Sequence, residues 1–132
     1  MNYYEDSTLL VEWLDTEQWV QITRKEDIYV EGAEFIAGME KVVELIGLHN
    51  AGKMLADYTN MRVINNPDQR YYTQDWGPRA CEAGLRYYGA VRPRIYAAQL
   101  SLQTIMEDLK WNGISTAIFD TTEEAWEWLK TR

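Results

Sequence analysis

Asp57-Tyr58-Thr59-Asn60, followed by Arg62, is an abrupt polar cluster at the end of the mostly apolar run Lys53-Met54-Leu55-Ala56. A carboxylate beside guanidinium groups makes charge-assisted hydrogen bonds and can position a polar or anionic ligand. Arg92 and Arg94 close the next apolar run and are placed to join such a site. The competing role for Asp57 is local: the carboxylate pins the loop that follows and pairs with a neighbouring arginine. Hydrolytic or transfer chemistry centred on Asp57 would need a second titratable group in the same pocket, and no pattern in the chain places one there. There is no Cys–His metal spacing, no Gly-rich phosphate loop and no nucleophile elbow. His49, the single histidine, falls at a helix end, where the dipole favours it. On these grounds no catalytic residue, metal site or cofactor is assigned.

The second chemical feature is aromatic. Tyr71, Tyr72, Trp76, Tyr87, Tyr88 and Tyr96 crowd the middle third of the chain. Such residues can wall an apolar pocket or anchor a protein interface. Their spacing fits core packing better, since Tyr72 and Trp76 share a helical face and Tyr87 and Tyr88 alternate along a strand. Trp126 differs: it lies about 100° around its helix from Ala125, partly off the packed face. It is therefore the candidate for self-association. Cys81 falls on an apolar helical face, as a small filler.

Bulk properties narrow the class. A chain of 132 residues fits one domain, residues 1–132, with a core of its own. The acidic amino terminus is not expected to be a signal peptide, and no run approaches the roughly 20 apolar residues of a membrane helix. With a lone cysteine there is no internal disulfide, so a cytoplasmic location is expected. The net charge of −8 argues against nucleic acid and anionic membrane as partners. The charge is uneven: residues 1–61 carry four basic and twelve acidic side chains, whereas residues 62–94 carry six arginines against Asp68, Asp75 and Glu82. That stretch is either an anion-accepting rim or a solvated face that balances the acidic remainder through ion pairs.

These residues need elements to position them. Residues 8–14 and 19–23 are short, β-forming runs around the loop 15–18, which predicts a hairpin. Residues 24–30 form a charged connection with room for a short turn. Over residues 34–48, Phe35, Met39, Val42, Val43 and Ile46 recur at helical spacing, and Gly47 and Asn50 supply stop signals. Residues 53–58 then read as the central strand of an α/β sheet. Asn65-Asn66-Pro67-Asp68 predicts a capped helix start, with a kink at Gly77-Pro78. Residues 85–91 read as a strand. Leu102, Ile105, Met106 and Leu109 make a helical stripe capped by Ser101. Residues 115–119 make another strand, and Thr121 with Glu124 has capping-box spacing before a last helix. After the opening hairpin, helices and strands alternate, as in a sheet with crossover helices.

Several of these segments resemble a known group. They are Lys53-Met-Leu-Ala-Asp57, Trp76-Gly-Pro-Arg-Ala80, Gly84-Leu-Arg86, Gly89-Ala-Val-Arg-Pro93 and the ending Phe119-Asp-Thr-Thr-Glu-Glu-Ala-Trp-Glu-Trp-Leu129. They are similar to the small bacterial STAS-like, or SpoIIAA-like, domains, which share a fold with Sec14-type lipid-binding domains. The resemblance implies an α/β fold: a mixed four- to five-stranded sheet with an N-terminal β-hairpin and about four flanking helices. The best-understood relatives are anti-sigma-factor antagonists switched by a phosphoserine at the start of the helix after the central strand. Here that place holds Asn65-Asn66-Pro67-Asp68, and no Ser or Thr lies between Thr59 and Thr73. The switch does not carry over.

The expectation is thus a non-enzymatic binding or regulatory module acting through protein contacts, with self-association into a homodimer. The alternative is a pocket for a small apolar or anionic molecule. The interaction candidates are Asp57, Tyr58, Arg62, Trp76, Arg92, Arg94 and Trp126.

Overall fold

A computed structural model of the chain describes residues 1–25 and 29–132. Six strands build one mixed sheet: β1 (Asn2–Glu5), β2 (Leu9–Leu14), β3 (Trp19–Arg24), β4 (Lys53–Asp57), β5 (Tyr87–Val91) and β6 (Ser115–Phe119). They lie side by side in sequence order, with β1–β2 and β2–β3 antiparallel and every pair from β3 to β6 parallel. The expected β2–β3 hairpin is present, and Gln18 turns its loop with a left-handed φ of 62°. The sheet has more strands than the four or five expected, because β1 joins the edge. Asn2-Tyr3-Tyr4-Glu5 has no apolar alternation of its own; pairing with β2 makes it a strand. The strand expected over residues 85–91 begins only at Tyr87. The connection expected over residues 24–30 includes residues 26–28, which lie outside the described residues.

Helices α1 (Gly32–His49), α2 (Asn66–Tyr71), α3 (Gly77–Ala83), α4 (Tyr96–Lys110) and α5 (Thr122–Lys130) complete the fold. Strand alternation divides their partners between two faces. Val20, Ile22, Met54, Ala56, Tyr88 and Ala90 face the large core built with α1, α3 and α4. Leu55, Val91 and Trp19 face the other side, where Ala125 and Leu129 of α5 cover them. In β4 both faces are therefore dry, and Met54, Leu55 and Ala56 are fully buried. This is the central strand the sequence predicts.

Local chemistry sets the helix ends. Asn65 caps α2 by accepting the Asp68 amide, and Thr121 with Glu124 forms a complete capping box on α5. The first turn of α1 has no cap from its own Glu31; its Gly32 amide instead donates to the Asp68 carboxylate at 2.9 Å. The kink expected at Gly77-Pro78 takes the form of a π-helical turn, Tyr72–Trp76, that joins α2 to α3. Pro78 lacks an amide and crowds the carbonyl four residues back, and the wider turn relieves both problems. Ser101 is not a cap: α4 starts five residues earlier, and the Ser101 hydroxyl donates to the Ala97 carbonyl inside the helix. His49 has a second role beyond the helix dipole, lying flat on Trp13 with ring centroids 3.8 Å apart.

Candidate functional site

The parallel register of β3 and β4 sets Thr23 beside Asp57, so Arg24 and Tyr58 leave the sheet together at its carboxyl edge. Both point to the α1 side. The Tyr58 hydroxyl meets those of Tyr72 and Tyr88 at 2.9 and 2.5 Å, and Tyr72 and Tyr88 meet each other at 2.5 Å. In that closed triangle each phenol can donate once and accept once, so the polar needs of three fully buried tyrosines are met among themselves. Burial pushes all three phenols above their ordinary range. For Tyr58 it outweighs the opposing pull of the Arg24 charge and of the bonds from Tyr72 and Tyr88. At neutral pH the triad carries no charge.

That fact isolates Arg24. Its side chain is only 4% exposed, and its guanidinium stacks over the Phe35 ring, 5.1 Å from the centroid. Nη2 donates to the Met39 sulfur at 3.4 Å, a weak acceptor. Nη1 is buried without a hydrogen-bond partner among the described residues, and no ion pair between described residues includes Arg24. An uncompensated buried charge costs several kcal/mol, and neutral tyrosines cannot offset it. Arg24 lines a small, partly open pocket together with Lys25, whose amine pairs with Glu5 at 2.6 Å, with Arg62 and with apolar Phe35, Met61 and Ile64. The pocket interior is about 10 Å³, enough for one water-sized atom.

The polar cluster read from the sequence does not gather at this point. Asp57 stays local, its Oδ1 accepting the Thr59 amide at 3.1 Å and the Thr59 hydroxyl at 2.6 Å. Among the described residues no second titratable group reaches it. Arg94 donates to Asn60 Oδ1 at 2.7 Å, and Arg92 pairs with Asp120 at 3.0 Å. Arg79 pairs with Glu40 and Asp75, and the Arg79 guanidinium together with the Tyr71 hydroxyl holds the Glu40 carboxyl below its ordinary range. These arginines balance the acidic remainder of the chain. Arg62 lines the pocket, whereas Tyr58 is not among its lining residues and sits in the buried tyrosine triad.

Trp76 is fully buried and donates to the Met39 carbonyl at 2.8 Å, as a core residue. Trp126 is half-buried, edge-on to Trp19 with centroids 4.8 Å apart, so it is not the free tryptophan expected. The exposed one is Trp111, read from the sequence only as part of a helix stop; it is 91% exposed. Cys81 is half-buried, with the Arg86 guanidinium 3.5 Å from its sulfur. Arg24 was missed because it lies in a charged stretch after a strand. The one available signal was strand parity: Val20, Ile22 and Arg24 share a face.

No helix among the described residues is long and apolar enough to cross a membrane. Compared with protein-family models, curated proteins and solved structures, the chain matches none.

Proposed function

We propose that the chain is a non-enzymatic, STAS-like binding module that receives an anionic group at the carboxyl ends of β3 and β4. One observation carries this function: Arg24 is buried with Nη1 unpartnered among the described residues, and it lines a small pocket at the end of β3. An anion on Nη1 would supply the missing charge and form a charge-assisted hydrogen bond in a low-dielectric setting. The likeness of the segments around β4, β5 and α5 to STAS-like domains supports a binding role, and the lone Cys81 accords with a reducing cytoplasm.

The test is thermal unfolding at fixed ionic strength, with chloride or acetate replacing a bulky anion too large to enter. A ligand present at a hundredfold excess over its Kd adds about 2.7 kcal/mol, which raises Tm by several degrees in a domain of this size. Arg24→Met should remove the response and still fold, because replacing an uncompensated buried charge by an apolar side chain is often neutral or stabilising. Equal Tm values in all anions, or an unchanged response in Arg24→Met, would refute the anion site.

A second function rests on a different surface. Tyr96 and Leu100 on α4 are 71% and 49% exposed, and Trp111, one residue beyond the helix, is 91% exposed. Large aromatics left in water favour protein contacts, so α4, rather than Trp126, is the face we assign to self-association.

A further inference from the structure

We infer that two copies of the chain join edge to edge through β6, antiparallel about a two-fold axis at Ala117, so that their sheets run on as one. This rests on the self-association assigned to α4 above and adds the strand, the register and the axis. β6 ends the sheet on one side, as β1 does on the other. Free edges invite pairing, and folded chains guard them with charges, irregular register or short strands. β1 is guarded: it has four residues, shifts register between Asn2 and Tyr4, and ends on Glu5. β6 is not. Ser115-Thr116-Ala117-Ile118-Phe119 pairs with β5 in unbroken register, has no charge and no proline, and has no residue fully buried.

The backbone sets the register. The Ser115 amide donates to the Arg86 carbonyl and the Phe119 carbonyl accepts the Arg92 amide, both at 2.8 Å. Ser115, Ala117 and Phe119 therefore turn their backbone groups to β5, and Thr116 and Ile118 turn theirs outward. An antiparallel copy that sets Thr116 against Ile118 of the second chain lets each such pair exchange both of its hydrogen bonds. Ala117 then meets its own counterpart on the axis, where the Cα atoms approach to about 4.5 Å and a small side chain fits.

The exposed side of α4 shares this axis. The Thr116 hydroxyl donates to the Met106 carbonyl at 3.0 Å, and Ile118 borders a groove of about 230 Å³ with Gln99, Leu102 and Gln103. Ala117 is thus level with about residue 104 of the helix. At 1.5 Å per residue, Tyr96 and Trp111 lie about 12 and about 11 Å from the axis on opposite sides. Tyr96, Gln99, Gln103 and Lys110 follow at helical spacing along the side that overhangs the edge. The two-fold brings Tyr96 of each copy toward Lys110 and Trp111 of the other, above the joined strands. Charge favours the same arrangement. The C-terminal half of α4 carries Glu107 and Asp108, whereas the N-terminal half has no carboxylate and follows Arg94. Antiparallel helices set the acidic half against the half without acid, and parallel ones would set acid against acid.

Sedimentation equilibrium of the full chain and its variants is the test. Thr116→Pro removes the outward amide, costs no β5–β6 bond, and suits an edge whose amide faces solvent. It should weaken the dimer at least about tenfold, since both copies lose a hydrogen bond. Thr116→Val, which loses the hydroxyl but keeps the amide, should dimerise as the native chain does. Should Thr116→Pro fail to fold by circular dichroism, Ala117→Lys, which opposes like charges on the axis, takes its place with the same expected loss. The register has its own check. In a Cys81→Ser chain, Ala117→Cys should give a covalent dimer under mild oxidation, because the Cα separation is within disulfide reach. Thr16→Cys, on the exposed hairpin loop, should not. A dimer weakened by Tyr96→Ser with Trp111→Ser, yet unchanged by Thr116→Pro or Ala117→Lys, overturns edge pairing and leaves association through α4 standing. Weakening by Thr116→Pro without the Ala117→Cys cross-link overturns the axis at Ala117. A native chain that stays monomeric at every concentration overturns edge pairing and the α4 reading together.

Discussion

A guanidinium and three phenols meet under the carboxyl edge of the sheet, and their energetics differ in kind. The phenols satisfy one another, so removing one hydroxyl leaves two groups sharing a single bond. Tyr72→Phe should therefore destabilise the chain by about 1–3 kcal/mol, measured as a lower midpoint in urea unfolding. Their protonation gives a second check. Burial raises the folded pKa of Tyr58, Tyr72 and Tyr88 above the ordinary value of 10.0. Above that pH the unfolded chain has released these protons and the folded chain still holds them. Stability is thus complete below pH 10 and falls as the pH rises through the folded values, by up to about 1.4 kcal/mol per pH unit for each tyrosine. Urea midpoints that stay flat from pH 9.5 to 11.5 would contradict this, and Tyr72→Phe should make the fall shallower. Arg24 has no such partner among the described residues: the phenols are neutral and the Met39 sulfur is a weak acceptor, so the proposed anion would supply the charge they do not.

At the scale of elements, the α2–α3 helix shows how one residue sets a join. The π turn Tyr72–Trp76 carries Tyr72 and Trp76 into the core, where Trp76 donates to the Met39 carbonyl, and Pro78 restarts the helix behind it. Gly77 lies where this helix crosses α4. A methyl group there would sit 2.7 Å from the Leu109 Cδ2 and 2.9 Å from the Asn112 amide nitrogen. Gly77→Ala should force α4 outward and cost about 1–3 kcal/mol, checked by thermal or urea unfolding; a neutral result would mean that Leu109 and Asn112 yield freely. Since Tyr72 precedes the join, the same change should also disturb the triad. Cross-chain capping works in the same spirit. Asp68 holds the amide of Gly32 from 36 residues away, a bond that no local pattern around Glu31 or Gly32 announces.

For the molecule as a whole, monotonic strand order has a functional consequence. Ligand crevices in open α/β sheets form where the strand order reverses, and the order here never reverses. Arg92 and Arg94, beyond β5, are taken up by Asp120 and Asn60, and the small pocket lies instead beside Arg24 at the end of β3. The helices are unequally shared, three units on one face and α5 alone on the other. On the crowded face, Tyr96 of α4 and Trp111 just beyond its end are the most exposed aromatic residues among those described. If this surface mediates self-association, the double substitution Tyr96→Ser, Trp111→Ser should weaken a dimer at least tenfold in sedimentation equilibrium, while Trp126→Ala lowers stability by opening the contact with Trp19. A chain that sediments as a monomer at every concentration would remove α4 self-association.

How much of this was legible beforehand varies with the range of the interaction. The hairpin, the α1 stripe, the central strand, the Asn65 cap and the Thr121–Glu124 box depend on residues within one or two turns of each other, so composition and spacing determine them. The same holds for Trp76 as a core residue and for the break at Gly77-Pro78. The sixth strand, the Asp68 cap on α1, the tyrosine triangle and the isolation of Arg24 needed the tertiary structure. Each depends on groups far apart in the chain, and strand pairing sets which of them meet. Sequence counted Arg24 among the four cations of the acidic stretch 1–61; the packed sheet turns it inward, away from every described carboxylate, because side chains on alternate strand positions have no choice of face.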